Sequence, residues 1–303
     1  MSEIFAVFTR NILPILIVAG FGYSLRRWFN VEQKPLSSAV FNVLSPALVF
    51  SSLITSQIAP EELLQIGLFT VIVIAIMGVI GLLLSPILRL KRTETSALLL
   101  LVMFVNGGNY GLTLVQLRYG EAGLSRAVVY YVTSTILLYT VGVFIASSGR
   151  VNWRETLSRM TRLPAVYAAV LAVMLYYWQI PVPGPIMSAV EIAAAGANPV
   201  LLLLLGMQHA DLQGGINLRL AVPAVSLRLV AGPVVGAIVA AVIGLKGLSR
   251  SAAIIETSMP SAVITTILAT EFGLPAPAVT SIVVLSTLIS PLTVSATITL
   301  MGL

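Results

Sequence analysis

Long apolar stretches, separated by short polar ones, follow one another along the whole chain. Ten of them can be counted, over residues 12–25, 37–54, 63–88, 95–117, 124–146, 164–178, 185–207, 218–245, 251–270 and 276–300. A helix needs roughly 20 residues to cross the hydrocarbon core of a bilayer. The pattern therefore predicts an all-α polytopic membrane protein with ten transmembrane helices, numbered here as spans 1 to 10.

Polar residues interrupt two of these apolar stretches. Span 4 contains the sequence Asn106-Gly107-Gly108-Asn109-Tyr110-Gly111, and span 9 contains Glu256-Thr257-Ser258-Met259-Pro260-Ser261. An unwound backbone in hydrocarbon leaves N–H and C=O groups unpaired, so such a break is stable only inside the protein or beside a polar cavity. Because secondary transporters bind substrates and coupling ions at discontinuous helices, we predict that spans 4 and 9 are broken at a binding site.

The two breaks also fall at matching places in the two halves of the chain. Placing Ser96 over Ser251 brings them into register, and the halves 1–148 and 163–303 then hold five spans each. The polar segment 149–162 between them is predicted to be a cytoplasmic linker. An odd number of spans gives the second half the opposite orientation, so the sequence predicts two inverted five-helix repeats.

Composition and charge agree with a membrane protein. The chain of 303 residues is 58% hydrophobic and 9% charged, whereas about 25% of a soluble domain is charged. Of its 17 lysines and arginines, eleven fall in loops on the linker side and five on the other side. The positive-inside rule then places the linker in the cytoplasm and both termini outside. The membrane we expect is a bacterial-type inner (plasma) membrane. Topology explains the net charge of +6, so we expect lipid but no nucleic acid as a partner.

The residue inventory argues against an enzyme. An intramembrane aspartyl protease needs two aspartates and a zinc protease two histidines on one helix face, but the chain has one of each residue. No glycine pair is followed by Lys-Ser or Lys-Thr, as a nucleotide-binding loop requires. The absence of cysteine excludes disulfides and thiolate metal sites. We therefore expect no catalytic residues and no organic cofactor.

Three charged residue positions lie well inside apolar stretches, where a charge is costly unless it faces the protein interior or a water-filled cavity. Glu256, four residues before Pro260, is predicted to be functional; the alternative is a protonated or arginine-paired structural carboxylate. Arg228 in span 8 either neutralises Glu256 or Glu191, or contacts the substrate. Glu191 in span 7 has no neighbouring break, so we expect it to be buried and hydrogen-bonded.

The asparagines of the first break suit a site that binds an anion and a cation. An amide side chain offers N–H donors to an anion and a carbonyl oxygen to a cation. The alternative is that Asn106 and Asn109 only cap a glycine-rich helix contact. Gly232 and Gly236 in span 8 have the spacing of such a packing contact and are interpreted that way.

These motifs resemble the bacterial branch of the auxin efflux carrier family. The likeness covers all ten spans and is carried by the segments Asn-Gly-Gly-Asn-Tyr-Gly-Leu at 106–112, Met-Pro-Ser-Ala at 259–262 and Glu-Phe-Gly at 271–273. It implies a fold related to the bile acid:sodium symporters, in which spans 4 and 9 cross at their breaks. It further implies a scaffold domain over 5–57 and 163–209, through which a homodimer would form, and a moving transport domain over 62–147 and 218–302.

The same resemblance implies the ligands. Members of the family carry small organic anions such as auxin or malate, and here the substrate would meet Asn42, Gly108, Asn109, Tyr110, Arg228, Pro260 and Ser261. A glutamate four residues before the break is similar to the sodium-binding stretch of the bile acid symporters. Carried over to this chain, the sodium ligands would be Asn106, Asn109, Thr133, Ser134, Glu256, Met259 and Ser261.

The expected function is a secondary active transporter of a small organic anion that is coupled to sodium and works by elevator or rocking alternating access. Two alternatives stay open from the residues alone: a proton-coupled carrier, and an uncoupled anion uniporter or channel. A membrane-bound sensor is a more remote third. Uphill uptake driven by an ion gradient separates a carrier from an uncoupled pathway.

Overall fold

The computed structural model describes residues 2–56, 58–147, 163–210 and 217–303. The predicted linker, 149–162, lies outside these residues. In the described part of the chain all regular structure is helical, apart from one isolated antiparallel bridge between Val105 and Ser261. The prediction of an all-α protein is confirmed.

The described residues form helices that we label in chain order. They are α1 (Phe5–Arg27), α2 (Gln33–Ile54), α3 (Pro60–Ile87), α4 (Arg92–Met103), α5 (Gly107–Ala146), α6 (Pro164–Tyr177), α7 (Gly184–Ala210), α8 (Leu218–Val242), α9 (Gly247–Thr257), α10 (Ile264–Glu271) and α11 (Ala276–Leu300). Within these ranges, seven helices are long and apolar enough to cross a membrane, namely α1, α2, α3, α5, α7, α8 and α11. Helices of this length and number are typical of a multi-pass membrane protein.

Helix α5 changes direction at Gly120. A straight helix of its 40 residues would be about 60 Å long, twice the hydrocarbon thickness. Gly120 has φ 63° and ψ −159°, a conformation that needs the absence of a Cβ atom. The helix is thus divided into a first part, 107–119, of about 20 Å and a second part, 121–146, of about 39 Å.

Helices α4, α9 and α10 are too short to cross a membrane alone. They contain 12, 11 and 8 residues, which correspond to about 18, 17 and 12 Å. The hydrocarbon core is about 30 Å thick, so a helix of this length that starts at the surface ends near the middle. The ends of α4 and α9 are the two interruptions that the sequence predicts.

Two groups of polar contacts mark opposite ends of the helical bundle. Near the start of α3, the Glu62 carboxylate accepts two hydrogen bonds from Arg126 on α5, at 2.8 and 3.1 Å, and one from Ser249 on α9. Just after the end of α3, the Leu88 carbonyl accepts a hydrogen bond from Arg219 on α8 at 2.9 Å. The two groups are about 39 Å apart along α3. They are called the Arg126 end and the Arg219 end below.

Glycines bring α1 and α7 into backbone contact. A Cβ atom on Gly22 would overlap the carbonyl oxygen of Leu203, and one on Gly206 would overlap that of Ala19. Any side chain at either position would therefore force the two helices apart. Helices α2 and α6 pack beside this pair, whereas α3, α5, α8 and α9 pack on one another.

Three π turns each end two residues before a proline. A proline has no N–H group and its ring crowds the preceding turn, which favours a widened turn at that point. The turns and their prolines are Phe8–Ile12 with Pro14, Val40–Leu44 with Pro46, and Leu227–Ala231 with Pro233. The third turn, in α8, carries Arg228.

Candidate functional site

The two breaks are paired with each other through their backbones. The Asn106 N–H donates to the Pro260 carbonyl at 2.8 Å, and the Ala262 N–H donates to the Phe104 carbonyl at 3.0 Å. These bonds flank the bridge between Val105 and Ser261. Backbone N–H and C=O groups that lack a partner within their own helix are thus hydrogen-bonded to the other break, as a helix interruption at membrane depth requires.

Ser261 adds a second connection between the breaks. Its hydroxyl donates to the Leu101 carbonyl at 2.8 Å, which lies in the last turn of α4. Its backbone N–H donates to the Ser286 hydroxyl of α11 at 3.2 Å. Both donors of Ser261 are therefore used by the protein, while its hydroxyl oxygen can still accept a bond or coordinate an ion.

Arg228 joins the C-terminal ends of α4 and α9. Its guanidinium is buried and donates to the carbonyls of Val102 and Thr257, in the last turns of these two helices. The carbonyls at a helix C-terminus carry partial negative charge and have no partner within the helix. A Cβ atom on Gly232, one turn further along α8, would overlap the guanidinium. Arg228 thus caps both half-helices and is not part of the cavity lining described below.

The Glu256 carboxylate lies against the glycine-rich turn of the other break. The side chain is 0% exposed, and neither carboxylate oxygen has a hydrogen-bond partner. A Cβ atom on Gly107 would be 2.5 Å from Oε2, and one on Gly111 would be 2.5 Å from both oxygens. An unpaired charge at this depth is too costly to persist, so the carboxylate must be protonated or neutralised by a bound cation.

A further polar side chain belongs to the segment whose glycines contact this carboxylate. Asn106, next to Gly107, is 5% exposed, and its side-chain amide nitrogen has no hydrogen-bond partner. The carbonyl oxygen of the same side chain can coordinate a cation. Carboxylate, amide and hydroxyl oxygens are the ligands that a sodium ion prefers, so the residue types present fit such an ion.

A cavity of about 140 Å³ lies beside the paired breaks. Its wall includes the first break from Phe104 to Asn109, the start of α10, Ser37 and Phe41 of α2, Gln208 of α7, and one face of α5. A cavity of about 150 Å³ accommodates a molecule of benzene size, so this one has room for a small organic acid. Its contacts with the beginning of α2 and the end of α7 place it towards the Arg219 end.

Gly108 is required by the packing of this cavity. A Cβ atom at this position would be 2.8 Å from the ring of Tyr131, closer than side-chain atoms approach. Tyr131 belongs to a face of α5 that also presents Tyr130, Ser134, Thr135, Leu138 and Tyr139 to the cavity. The first break and this aromatic face therefore form adjoining parts of one wall.

The structure brings some of the predicted site residues into the cavity wall and leaves others behind it. Asn106, Gly108, Asn109 and Ser134 line the cavity. Glu256, Met259, Pro260 and Ser261 are buried in the paired breaks, and Tyr110 is fully buried outside the lining.

Two predicted residues lie elsewhere. The Thr133 hydroxyl donates to the Val129 carbonyl at 2.8 Å, and the side chain faces Gly67 of α3 in a separate, mainly apolar pocket. The Asn42 amide donates to the Ser38 carbonyl at 2.9 Å and lines a neighbouring cavity beside α6. Both positions are on helices that reach the site, but on a different face of each helix.

The aromatic wall is the part of the site that the sequence analysis misses. It consists of Phe41, Phe104, Tyr130, Tyr131 and Tyr139. A signal for it exists, because Tyr131, Thr135 and Tyr139 recur at intervals of four and so share one helical face. The expectation that Glu191 is buried is wrong, since this side chain is exposed and lines a second cavity. The packing interpretation of Gly236 is supported, as a Cβ atom there would overlap Thr257.

Proteins named as transporters are similar to this chain over its length. Residues 7–298 match the family described as membrane transport protein. An uncharacterized transporter of Methanothermobacter thermautotrophicus is 26% identical over 300 residues, which cover 95% of this chain and 96% of the relative. An uncharacterized transporter of Methanocaldococcus jannaschii is 22% identical over 295 residues, with coverage of 94% and 96%.

A plant protein matches part of the chain. The probable auxin efflux carrier component 5c of rice, Oryza sativa subsp. japonica, is 29% identical over 140 residues, which cover 44% of this chain and 37% of the relative. The family match includes both breaks and nearly all the helices. It confirms the family that the sequence motifs indicate and makes the protein a membrane transporter. The chain belongs to the auxin efflux carrier family of membrane transport proteins.

Proposed function

We propose that the protein is a secondary active transporter of a small organic anion, a carboxylate, and that its transport is coupled to sodium. The observation that carries the proposal is the fully buried Glu256 carboxylate, which has no partner and lies against the glycine-rich turn of the first break. The same turn continues into the cavity wall through Asn106 and Asn109. A cation at the carboxylate and an anion in the cavity would therefore act on one short segment.

The cavity wall offers an anion suitable partners. Helices α5 and α10 begin at the two breaks, and a helix N-terminus carries roughly half a positive charge and free N–H groups. The Asn109 amide adds a side-chain donor beside the first of these termini. The aromatic face of α5 would pack against the organic part of the substrate. The rice relatives are named as probable auxin efflux carriers, and auxin is an aromatic carboxylate of this kind.

A cation beside Glu256 would make anion binding more favourable. An uncompensated carboxylate near the cavity would repel an anionic substrate, whereas a sodium ion reverses the sign of the local charge. The ligand set we propose is the Glu256 carboxylate with Asn106, together with Asn109, Ser134, Met259 and Ser261. Thr133 is left out because its side chain faces α3. A proton on Glu256 would neutralise the same charge, so proton coupling is the competing hypothesis.

For the architecture, we propose ten membrane crossings arranged as two inverted repeats. Helix α4 with the first part of α5 would form span 4, the second part of α5 span 5, and α9 with α10 span 9. The division of α5 at Gly120 and the half-length of α4 and α9 support this reading. Both termini would lie outside, and the Arg219 end would face the cytoplasm of a bacterial-type cell.

The same architecture suggests how access to the site alternates. The scaffold would be 5–57 and 163–209, including the close contact of α1 with α7, and would form the homodimer. The transport domain would be 62–147 and 218–302, in which Arg126 joins three helices. The cavity lies towards the Arg219 end, so with that end in the cytoplasm the conformation would be an inward-facing one. Elevator or rocking motion of the transport domain would expose the cavity to the other side.

Reconstitution into proteoliposomes tests the function. Radiolabelled malate and indole-3-acetate are offered with an inward sodium gradient, with an inward proton gradient, or with neither. We expect uphill uptake in the sodium gradient and its loss in Glu256→Gln. Uphill uptake that follows only the proton gradient would show that the coupling ion is the proton and not sodium. Flux that never exceeds equilibration under either gradient would contradict a coupled carrier.

A further inference from the structure

A second and larger cavity lies towards the opposite end of the bundle. It has a volume of about 460 Å³ and is enclosed by α1, α2, the region of α5 around Gly120, and α7. On α7 it is lined by residues from Glu191 to Leu202, whereas the first cavity is reached by Gln208. Leu202 and Gln208 are about 9 Å apart along the helix. The two cavities share no lining residue and are treated as separate spaces.

The charged side chains that line this second cavity are both acidic. Its wall contains two carboxylates, Glu121 and Glu191, and among the residues that line it in the described chain there is no lysine, arginine or histidine. The amides of Gln116 and Asn198 and the hydroxyls of Ser51, Ser52 and Thr113 complete the polar lining. With both carboxylates ionised, the wall carries two negative charges and would repel an anion.

A chain of hydrogen bonds engages both amide nitrogens. The Asn198 Nδ2 group donates to Gln116 Oε1 at 2.6 Å, and the Gln116 Nε2 group donates to Glu121 Oε1 at 2.7 Å. This chain runs from α7 to α5 and ends on a carboxylate. Both amides are thus held in place by their donors, and a ligand in the cavity is offered oxygen atoms.

One of these oxygens is buried and unsatisfied. Asn198 is 8% exposed, and its Oδ1 atom has no hydrogen-bond partner. The Thr113 hydroxyl is also buried, at 6% exposure, and also has no partner. A buried acceptor that loses its water without gaining a donor or a cation is destabilising, so these two oxygens favour a ligand that they can bind.

We propose that this cavity is a second cation site, which binds a monovalent cation between α5 and α7. Its ligands are the Asn198 carbonyl oxygen and the carboxylates of Glu121 and Glu191. In the described residues no three histidine, cysteine or acidic side chains are grouped to hold a metal, so a tightly bound divalent ion is not what the wall fits. The volume exceeds that of a bare ion, so the cation is partly hydrated or is a small organic ammonium.

The site is distinct from Glu256. Gly111 contacts the Glu256 carboxylate, and Thr113 lines the second cavity. Residues two apart in a helix point about 200° apart, so these two positions face opposite sides of α5. Binding in the second cavity can therefore be measured without any transport activity, in a variant that lacks the Glu256 charge.

Equilibrium binding of radioactive sodium to the purified protein tests the proposal. All measurements use Glu256→Gln, which removes the first candidate site. We expect saturable sodium binding in this variant and a fall in affinity of at least tenfold when Glu121→Gln and Glu191→Gln are added. The matched control replaces Glu32 and Glu61 by glutamine, because these exposed acids lie outside the cavity; it should bind sodium as the parent does.

Competition by methylammonium identifies the kind of cation. Displacement of sodium by potassium alone indicates an alkali-ion site, and displacement by methylammonium indicates an ammonium site. The proposal would be overturned if Glu256→Gln shows no saturable sodium binding, or if its sodium affinity is the same with and without the Glu121 and Glu191 changes. Water would then be the occupant of the cavity. The transport assay of Glu256→Gln is a separate readout, so failure of the proposed carrier function would be recognised independently.

Discussion

The carboxylate of Glu256 occupies the space in which a side chain of Gly111 would stand, since a Cβ atom there would be 2.5 Å from both carboxylate oxygens. The glycine belongs to the first break and the glutamate to the segment just before the second. The two motifs are therefore in direct contact, and a substitution in one should displace residues of the other.

Replacement of Gly111 by alanine should displace the Glu256 carboxylate. Forcing a methyl group into a packed interior costs about 1–3 kcal/mol, so we expect a lower melting temperature in detergent. Gly20→Ala is the matched control, because this helical glycine has nothing within 4 Å of its Cβ position. It should be neutral or slightly stabilising, by up to about 1 kcal/mol. Equal melting temperatures for Gly111→Ala and the wild type would contradict the contact.

Sodium should stabilise the protein through Glu256. An ion at a hundredfold excess over its dissociation constant adds about 2.7 kcal/mol, so the wild type should melt higher in sodium than in N-methyl-D-glucamine at equal ionic strength. Glu256→Gln should remove the part of this rise that comes from the paired breaks. Any remaining rise should disappear when Glu121 and Glu191 are also changed. An unaltered sodium response in Glu256→Gln would rule out the glutamate as a ligand.

Replacement of Arg228 by methionine should destabilise the fold. The change leaves the carbonyls of Val102 and Thr257 without a donor, and hydrogen bonds to a charged group contribute about 1.5–3 kcal/mol each. We expect the free energy of unfolding to fall by at least about 3 kcal/mol, measured by thermal unfolding. Arg228→Lys should be less stable than the wild type but more stable than Arg228→Met, because one ammonium group reaches two separated carbonyls less well than a guanidinium does. Arg219→Met, at an exposed position, should cost less than about 1 kcal/mol.

Asn109 and Asn42 give a paired test of the substrate site. Asn109 lines the first cavity and Asn42 lines its neighbour, so we expect Asn109→Ala alone to weaken substrate binding. An unpaired polar partner costs about 1–3 kcal/mol, which corresponds to roughly a 5- to 150-fold loss of affinity. Asn42→Ala serves as the control. If the two variants bind a carboxylate equally well, the substrate lies elsewhere.

Single cysteines in this cysteine-free chain test the orientation. Glu61 is exposed near the Arg126 end, and Lys34 is exposed at the start of α2, towards the other end. The positive-inside rule predicts that an impermeant thiol reagent added outside the cell labels Glu61→Cys but not Lys34→Cys. If Lys34→Cys is labelled from outside and Glu61→Cys is not, the protein has the opposite orientation in the membrane and the prediction is wrong.

The sequence is sufficient to locate the breaks because their signal is local. Asparagines, glycines and a proline in an apolar stretch cannot continue a lipid-facing helix, whatever the rest of the fold does. The roles of Arg228 and of the aromatic wall depend instead on which helices meet. Thr133 and Ser134 illustrate the difference, because adjacent residues on a helix point about 100° apart, and here Ser134 lines the cavity while Thr133 faces α3. Helix rotation is set by tertiary packing, which the local pattern does not encode.

The antiparallel bridge between Val105 and Ser261 has a mechanical consequence. Backbone hydrogen bonds on either side of it, the Ser261 hydroxyl and the guanidinium of Arg228 all join the ends of α4 and α9. Neither half-helix can slide past the other without losing several of these bonds at once. A displacement of one is transmitted to the other, so a ligand held at the breaks moves together with its binding residues and is not passed from one helix to the next.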